Sequence, residues 1–173
     1  MSIRGRKMKK LILLGMVLGL LVSGIAFANP KLAFKDIYLG MSESEARKLA
    51  DKYEQEDNGI RIVLGTDRAK VSSSKVFGVW AIEVEAWNTD AERLKTAVFK
   101  KYGKPTRMWA TDWKTLFGTD HKGLSAEWHI GKDIVTFEYR PTDLVYGELE
   151  WGGFLRIMSS EYLESLKKGE MKL

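Results

Sequence analysis

The two histidines are the side chains best suited to acid–base or metal chemistry. His129 closes the segment "LSAEWHI", in which Ser125 and Glu127 precede it at intervals of two. Residues two apart on a β-strand point to the same face, so these three side chains could form a crude nucleophile-and-base arrangement or supply two metal ligands. A hydrolytic serine usually lies on a sharp turn beside an oxyanion hole, and zinc needs at least three protein ligands. A solvent-exposed strand face is therefore the simpler interpretation.

The other histidine lies in the segment "GTDHKG", which places Asp120 beside His121 in a loop bounded by glycines. Such a pair can bind a metal or transfer a proton, but it is more often ordinary turn chemistry. Signatures for phosphate loops, dinucleotide binding, zinc hydrolases and calcium loops are missing from the sequence. The chain also contains no cysteine, which rules out thiol catalysis and thiolate metal sites. We therefore assign no catalytic residue, metal or cofactor, and a hydrolase or metal enzyme ranks third among the hypotheses.

The tryptophans are a stronger functional signal. Trp109 and Trp113 share one face of the predicted strand "RMWATDW", opposite Met108 and Ala110, and Trp87 ends another predicted strand. Tryptophan is enriched among interface hot spots, and its ring has a large apolar face. These three side chains predict an exposed aromatic surface that binds a protein partner or stacks on a glycan. The alternative is that helices cover this face and bury Trp109 and Trp113.

Helical and strand periodicities supply the elements that would position these residues. Ser42 and Glu45 form a predicted capping box for a helix whose apolar stripe reaches Tyr53. Residues 60–65 and 75–87 form a predicted hairpin, joined by the polar loop 66–75. A second helix starts with Thr89 as its cap and ends before Gly103.

Four strand-like segments follow the second helix, at 107–113, 124–130, 134–140 and 146–158, and a short helix closes the fold. The order α-ββ-α-ββββ-α lacks the βαβ alternation of a parallel sheet. It predicts an α+β fold, in which helices pack on one face of an antiparallel sheet. Whether the two blocks of helix and hairpin are an internal repeat stays open.

The N-terminal segment has the three parts of a secretory signal peptide. Basic residues precede an apolar run from Leu11 to Ala28, which ends in the small-x-small pattern Ala26-Phe27-Ala28. We predict cleavage after Ala28 and export to the periplasm or beyond the cell. The alternative is an uncleaved helix that anchors the chain in the inner membrane, because about 18 apolar residues are just enough to span it. Residues 29–168 are then one domain, and residues 169–173 a frayed tail.

Removing this leader changes the charge of the chain. The whole sequence has 28 basic and 23 acidic residues, and the first 28 residues hold five basic and no acidic ones. The remainder therefore carries 23 of each, with a formal net charge of zero. Nucleic-acid binding relies on a basic surplus that releases counterions from phosphate. We therefore expect no nucleic-acid partner.

Two segments resemble motifs of small exported bacterial proteins. "FKDIYLGMSESEARKLA" is similar to the opening of the outer-membrane-assembly lipoprotein family and to repeats of beta-lactamase-inhibitor-like proteins, and "VFKKYGKPTRMW" is similar to a helix ending in periplasmic proteins. The matching residues are Phe34, Leu39, Gly40, Met41, Ser42, Tyr102, Gly103 and Pro105. The chain lacks the lipidated cysteine of the first family and the disulfides of the second, so neither activity carries over. The resemblance implies an α+β binding module, and we expect a non-catalytic module with an envelope protein as its partner.

Overall fold

The structure is a computed structural model that describes residues 32–114, 119–145 and 148–169. The predicted signal peptide (1–28) and most of the predicted tail lie outside the described residues. Within those three ranges, no helix is long and apolar enough to cross a membrane.

Helices and strands alternate in two blocks along the described residues. The first block contains β1 (Ala33–Phe34), β2 (Ile37–Tyr38), α1 (Glu43–Leu49), β3 (Lys52–Glu56), β4 (Gly59–Leu64), β5 (Asp67–Ser74) and β6 (Gly78–Trp87). The second contains α2 (Thr89–Tyr102), β7 (Arg107–Lys114), β8 (Asp120–Ile130), β9 (Asp133–Val145), β10 (Glu148–Met158) and α3 (Ser160–Lys167). Each of α1 and α2 is thus followed by four strands.

Those eight strands form one antiparallel sheet in the order β3-β4-β5-β6-β10-β9-β8-β7, while β1 and β2 form a separate hairpin. Two four-stranded meanders therefore meet at their last strands, β6 and β10. Both can be antiparallel because each meander turns back on itself through short connections. The predicted α+β class with a large antiparallel sheet is confirmed.

The predicted polar loop 66–75 is wrong, because most of it forms strand β5, which pairs with both β4 and β6. Its polarity is misleading: Ala69 and Val71 are buried on one face, while Arg68 and Lys70 point to the other. A strand with one wet face alternates in this way. Together with β3, this strand turns the predicted hairpin into a four-stranded meander.

The first helix is shorter than predicted. Its capping box is confirmed. The Ser42 hydroxyl accepts a hydrogen bond from the backbone amide of Glu45, and the Glu45 carboxylate accepts one from the backbone amide of Ser42. The helix ends at Leu49, however, and Ala50 has an extended backbone. Tyr53 lies on β3, where backbone pairing with β4 replaces helical hydrogen bonds. The helical spacing of apolar residues therefore extends to Tyr53 although the helix itself ends at Leu49.

The core lies between the sheet and the helices α1 and α2. Phe137, Ile60 and Ile157 are completely buried there, and Phe99 of α2 meets Trp128 edge-on, with ring centroids 5.3 Å apart. Helix α3 lies at the end of the sheet where β6 begins, and its Tyr162 stacks on Trp80 at 3.9 Å. We call the sheet face opposite α1 and α2 the outer face.

Candidate interaction surface

The outer face of the first meander is covered by charged side chains that pair with one another. Glu56 contacts Arg61 at 2.8 Å and Lys70 at 3.3 Å, and Glu83 contacts Arg156 at 2.5 Å across the β6–β10 seam. The strand register sets this pattern, because it places Arg61, Lys70, Glu83 and Arg156 on successive strands as direct neighbours. Charges at the centre of this half therefore pair with one another or, at the seam, with Arg156 of β10.

Aromatic rings and an arginine form a continuous row across the outer face of the second meander and the adjoining strand β6. Trp87 meets Phe154 edge-on at 5.6 Å, and the Arg140 guanidinium lies 4.5 Å from the Phe154 ring and 4.2 Å from the Trp113 ring. The row runs from β6 across β10, β9 and β8 to β7, about 19 Å at the usual strand spacing. We call Trp87, Phe154, Arg140 and Trp113 the aromatic–arginine row.

Two glycines on the outer face make room for the rings of this row. A Cβ on Gly152 would lie 2.6 Å from the Phe154 ring, and a Cβ on Gly123 would lie 3.0 Å from Trp113. Both rings therefore lie close to the sheet backbone. A side chain at either glycine would displace its ring from the row.

The row and its neighbour Trp109 remain partly open to solvent. Trp87 is 47% exposed and Trp109 is 38% exposed, whereas Trp113 is half-buried beneath Arg140. Arg107 lies 4.9 Å over the Trp109 ring. Trp109 and Trp113 are about 13 Å apart along β7. The structure thus brings Trp87 and Trp113 into one row through Phe154 and Arg140, with the Trp109–Arg107 pair beside it.

Two donors within the row have no hydrogen-bond partner among the described residues: Nε1 of Trp113 and Nε of Arg140. The Arg140 Nε lies 3.4 Å from Glu138 Oε2, an ionic contact without hydrogen-bond geometry. Buried donors are nearly always paired in folded proteins. The centre of the row therefore has donor capacity that the described part of the chain does not use.

Strand β9, which carries Arg140, is fixed to α2 by Tyr139 on the opposite face. The Tyr139 hydroxyl donates to Glu92, its ring stacks on Trp151 at 4.8 Å, and Lys95 lies 4.1 Å over the ring. Burial and the Glu92 carboxylate raise the pKa of Tyr139, while hydrogen bonds from Lys95 and Tyr139 lower the pKa of Glu92. Tyr139 therefore stays protonated and donates, which holds the strand beneath Arg140 in place.

The predicted polar cluster on β8 is only partly assembled. His129 Nε2 and Glu127 Oε1 are 2.7 Å apart on the surface, but the buried Ser125 hydroxyl bonds Thr111 at 2.9 Å. Ser125 and His129 are four residues apart on an extended strand, about 13 Å. His129 is therefore too far from Ser125 to act as its base, and the Glu127–His129 pair is a surface contact.

The expected glycine-bounded loop around Asp120 and His121 is wrong, because both residues belong to the start of β8, where they pair with Lys114 and Trp113. His121 and His129 are about 27 Å apart along the strand. Among the described residues, no three histidine, aspartate or glutamate side chains are grouped so as to hold a metal ion.

An open cleft of about 650 Å³ lies where α2 meets β5 and β6. Its charged lining is balanced, with Arg61, Arg68, Lys70 and Arg93 against Asp67, Glu83, Glu85 and Asp90. Neither histidine lines it. The cleft therefore does not bring a carboxylate and a histidine together, as the third hypothesis requires.

No protein-family model, curated protein or solved structure matches the chain. The resemblance drawn from the sequence therefore stays an expectation. Sequence reasoning also missed Phe154 and Arg140. Both stand at alternating positions in their strands, Phe154 with Gly152 and Arg140 with Glu138. Only the pairing of all five strands from β6 to β7 brings them next to Trp87 and Trp113.

Proposed function

We propose that this chain is an exported, non-catalytic binding module that engages a protein of the cell envelope through the aromatic–arginine row and the Trp109–Arg107 pair beside it. One observation carries the proposal: four strands place Trp87, Phe154, Arg140 and Trp113 in contact on a sheet face opposite the packed helices. Export rests on the predicted signal peptide at 1–28. Binding, rather than catalysis, is also what the resemblance to small exported α+β proteins implies.

The composition of the row favours a protein surface as its ligand. Tryptophan and arginine are the residues most enriched among the hot spots of protein interfaces. Arg140 pairs loosely with Glu138, and Arg107 has no ion pair among the described residues, so both guanidinium groups can meet a partner's carboxylate or carbonyl oxygens. The aromatic rings hold these groups in place before binding, which lowers the entropy cost of ordering them.

A glycan is the second candidate, and Trp87 is the side chain that favours it. Sugar rings stack on free aromatic faces, and Trp87 is 47% exposed with only an edge contact to Phe154. The faces of Trp109 and Trp113 are less suitable, because Arg107 and Arg140 already lie over them. A glycan site would therefore depend on Trp87 alone, whereas a protein site uses the whole row.

The test is capture by the purified protein of envelope proteins and, separately, of cell-wall glycan. The informative variants are Trp87→Ala and Trp109→Ala, since both side chains are exposed and their removal leaves the core intact. Tyr53→Ala is the matched control, because this exposed aromatic lies on the other face at the far edge of the sheet. Circular dichroism establishes that each variant is folded.

We expect one captured protein whose affinity, measured with the purified partner, falls at least about tenfold in each tryptophan variant, which is about 1.4 kcal/mol. The control should bind like the wild type. Retention on glycan alone, lost only in Trp87→Ala, would replace the protein proposal with the glycan one. Loss of binding in Tyr53→Ala with full binding by both tryptophan variants would refute the row and the Trp109–Arg107 pair as the site.

A further inference from the structure

The two edges of the sheet are protected unequally. At one edge, β3 is five residues long and carries Lys52, Glu54 and Glu56, the kind of charged edge that prevents pairing with another strand. At the other edge, β7 is eight residues long, and its middle, Met108 to Thr111, is uncharged. Within the described residues β7 pairs only with β8. Its backbone N–H and C=O groups that point away from β8 are therefore open to a further strand.

Apolar side chains on both faces of β7 are exposed as well. Met108 is 58% exposed on the side of the helices, and Trp109 is 38% exposed on the outer face. Ala110 is exposed next to Met108. A long edge strand with exposed apolar residues is an unusual feature in a protein that remains monomeric.

The sequence of β7 is compatible with antiparallel pairing to a second copy of itself. With a twofold axis at Ala110, Arg107 lies opposite Trp113 of the second copy, and Met108 lies opposite Asp112. In this register each outer-face residue meets an outer-face residue, as adjacent strands require. No two like charges face each other, and Arg107 gains an aromatic ring as its neighbour.

From these observations we propose that two copies of this chain pair through β7, antiparallel and centred on Ala110, to join their sheets into one. The pairing supplies hydrogen-bond partners for the backbone N–H and C=O groups of β7 that point away from β8. It also brings a second strand against Met108 and Ala110. It places the aromatic–arginine rows of the two copies on the same face of the joined sheet. A twofold dimer is also the commonest form of protein self-association.

The absence of cysteine from the sequence allows a direct test by crosslinking. On the twofold axis, the two copies of Ala110→Cys would have Cα atoms about 4.5–5.5 Å apart, within the range of a disulfide. Met108→Cys is the matched control on the same face, and its two copies would be about 13 Å apart. Cells that produce each full-length variant are treated with an oxidant, and the protein is examined on a non-reducing gel.

We expect a crosslinked dimer from Ala110→Cys and little or none from Met108→Cys. In sedimentation experiments, the wild-type protein should be a dimer, and Ala110→Lys should weaken dimerisation at least about tenfold by placing two lysines opposite each other. Val76→Lys, at a residue that is 76% exposed between β5 and β6, should leave the dimer unchanged. Circular dichroism shows whether the variants are folded.

A monomeric wild type, or crosslinking through Met108→Cys in place of Ala110→Cys, would overturn the proposal. This result is separable from failure of the proposed function. Ala110 points to the side of the helices, so Ala110→Lys leaves the row on the outer face intact. A monomeric Ala110→Lys that still binds its envelope partner would show that the two interactions are independent.

Discussion

The two halves of the outer face are built from the same kind of meander but expose different chemistry. On β3–β6, Glu56 pairs with both Arg61 and Lys70, so the central charges of this half contact one another. On β7–β10, the row holds aromatic rings and a guanidinium whose donor capacity is not fully used. One meander therefore presents paired charges, while the other, together with Trp87 of β6, presents the surface that we propose as a binding site.

The halves share one buried face, and this shared core determines stability. Phe137 of β9 is completely buried and meets Phe99 of α2 edge-on at 6.3 Å. Phe137→Ala should lower the free energy of unfolding by about 3–5 kcal/mol, because it removes apolar contacts and leaves a cavity. Urea unfolding followed by tryptophan fluorescence measures the change. A loss below about 1 kcal/mol would contradict a core common to both meanders.

Two glycines, one in each half, should respond differently to an added methyl group. A Cβ on Gly59 would lie 2.0 Å from the backbone oxygen of Val71, and Gly59 has a φ of +146°. The backbone of Val71 cannot easily move aside, so Gly59→Ala should lower the free energy of unfolding by about 1–3 kcal/mol or more. A Cβ on Gly152 meets side-chain atoms of Phe154 and Thr142, so Gly152→Ala should mainly displace Phe154.

Urea unfolding and near-ultraviolet circular dichroism distinguish these two effects. The Gly59 variant should show the larger loss of stability, and the Gly152 variant the larger change in the aromatic signal. If Gly152→Ala is the more destabilising and leaves the aromatic signal unchanged, the ring of Phe154 does not lie against the sheet as described.

The charged half should be the more sensitive to acid. A hydrogen bond from Arg61 holds the pKa of Glu56 below its usual value of 4.5. A carboxylate with a lowered pKa stabilises the fold above its unfolded-state pKa, and that contribution is lost as the pH falls through the folded-state value. Glu56→Gln should therefore lower the free energy of unfolding by about 1 kcal/mol or less at pH 6, and by less at pH 3. Urea unfolding curves at both pH values measure this difference. A loss of unfolding free energy at pH 3 that equals or exceeds the loss at pH 6 would contradict the prediction.

The seam between the halves should give the smallest effect. Glu83 and Arg156 pair across β6 and β10, but the Arg156 side chain is 53% exposed. A double-mutant cycle with Glu83→Gln and Arg156→Gln should give a coupling of about 0.2–1 kcal/mol, since solvent screens exposed pairs. A coupling above about 2 kcal/mol would mean that this pair, rather than the shared core, joins the two meanders.

Local signals in the sequence predicted the parts of the fold that depend on nearby residues. The capping box of Ser42 and Glu45 and the end of α2 at Gly103 both follow from local backbone chemistry, and the structure contains each of them. Strand β5 was missed because serine and charged residues hid two buried positions, Ala69 and Val71. The alternation of buried and exposed residues in β5 becomes clear only once β4 and β6 are known to pair with it on either side.

The sequence by itself determined the α+β class, the lack of cysteine chemistry and the alternation that points Trp109 and Trp113 to one face. Only the tertiary structure decided that Phe154 and Arg140 join Trp87 and Trp113, because strand pairing over long sequence distances sets that register. It also placed β7 at an edge of the sheet, where it pairs with β8 alone among the described strands. Alternation is a property of one strand, whereas a surface that binds is a property of several.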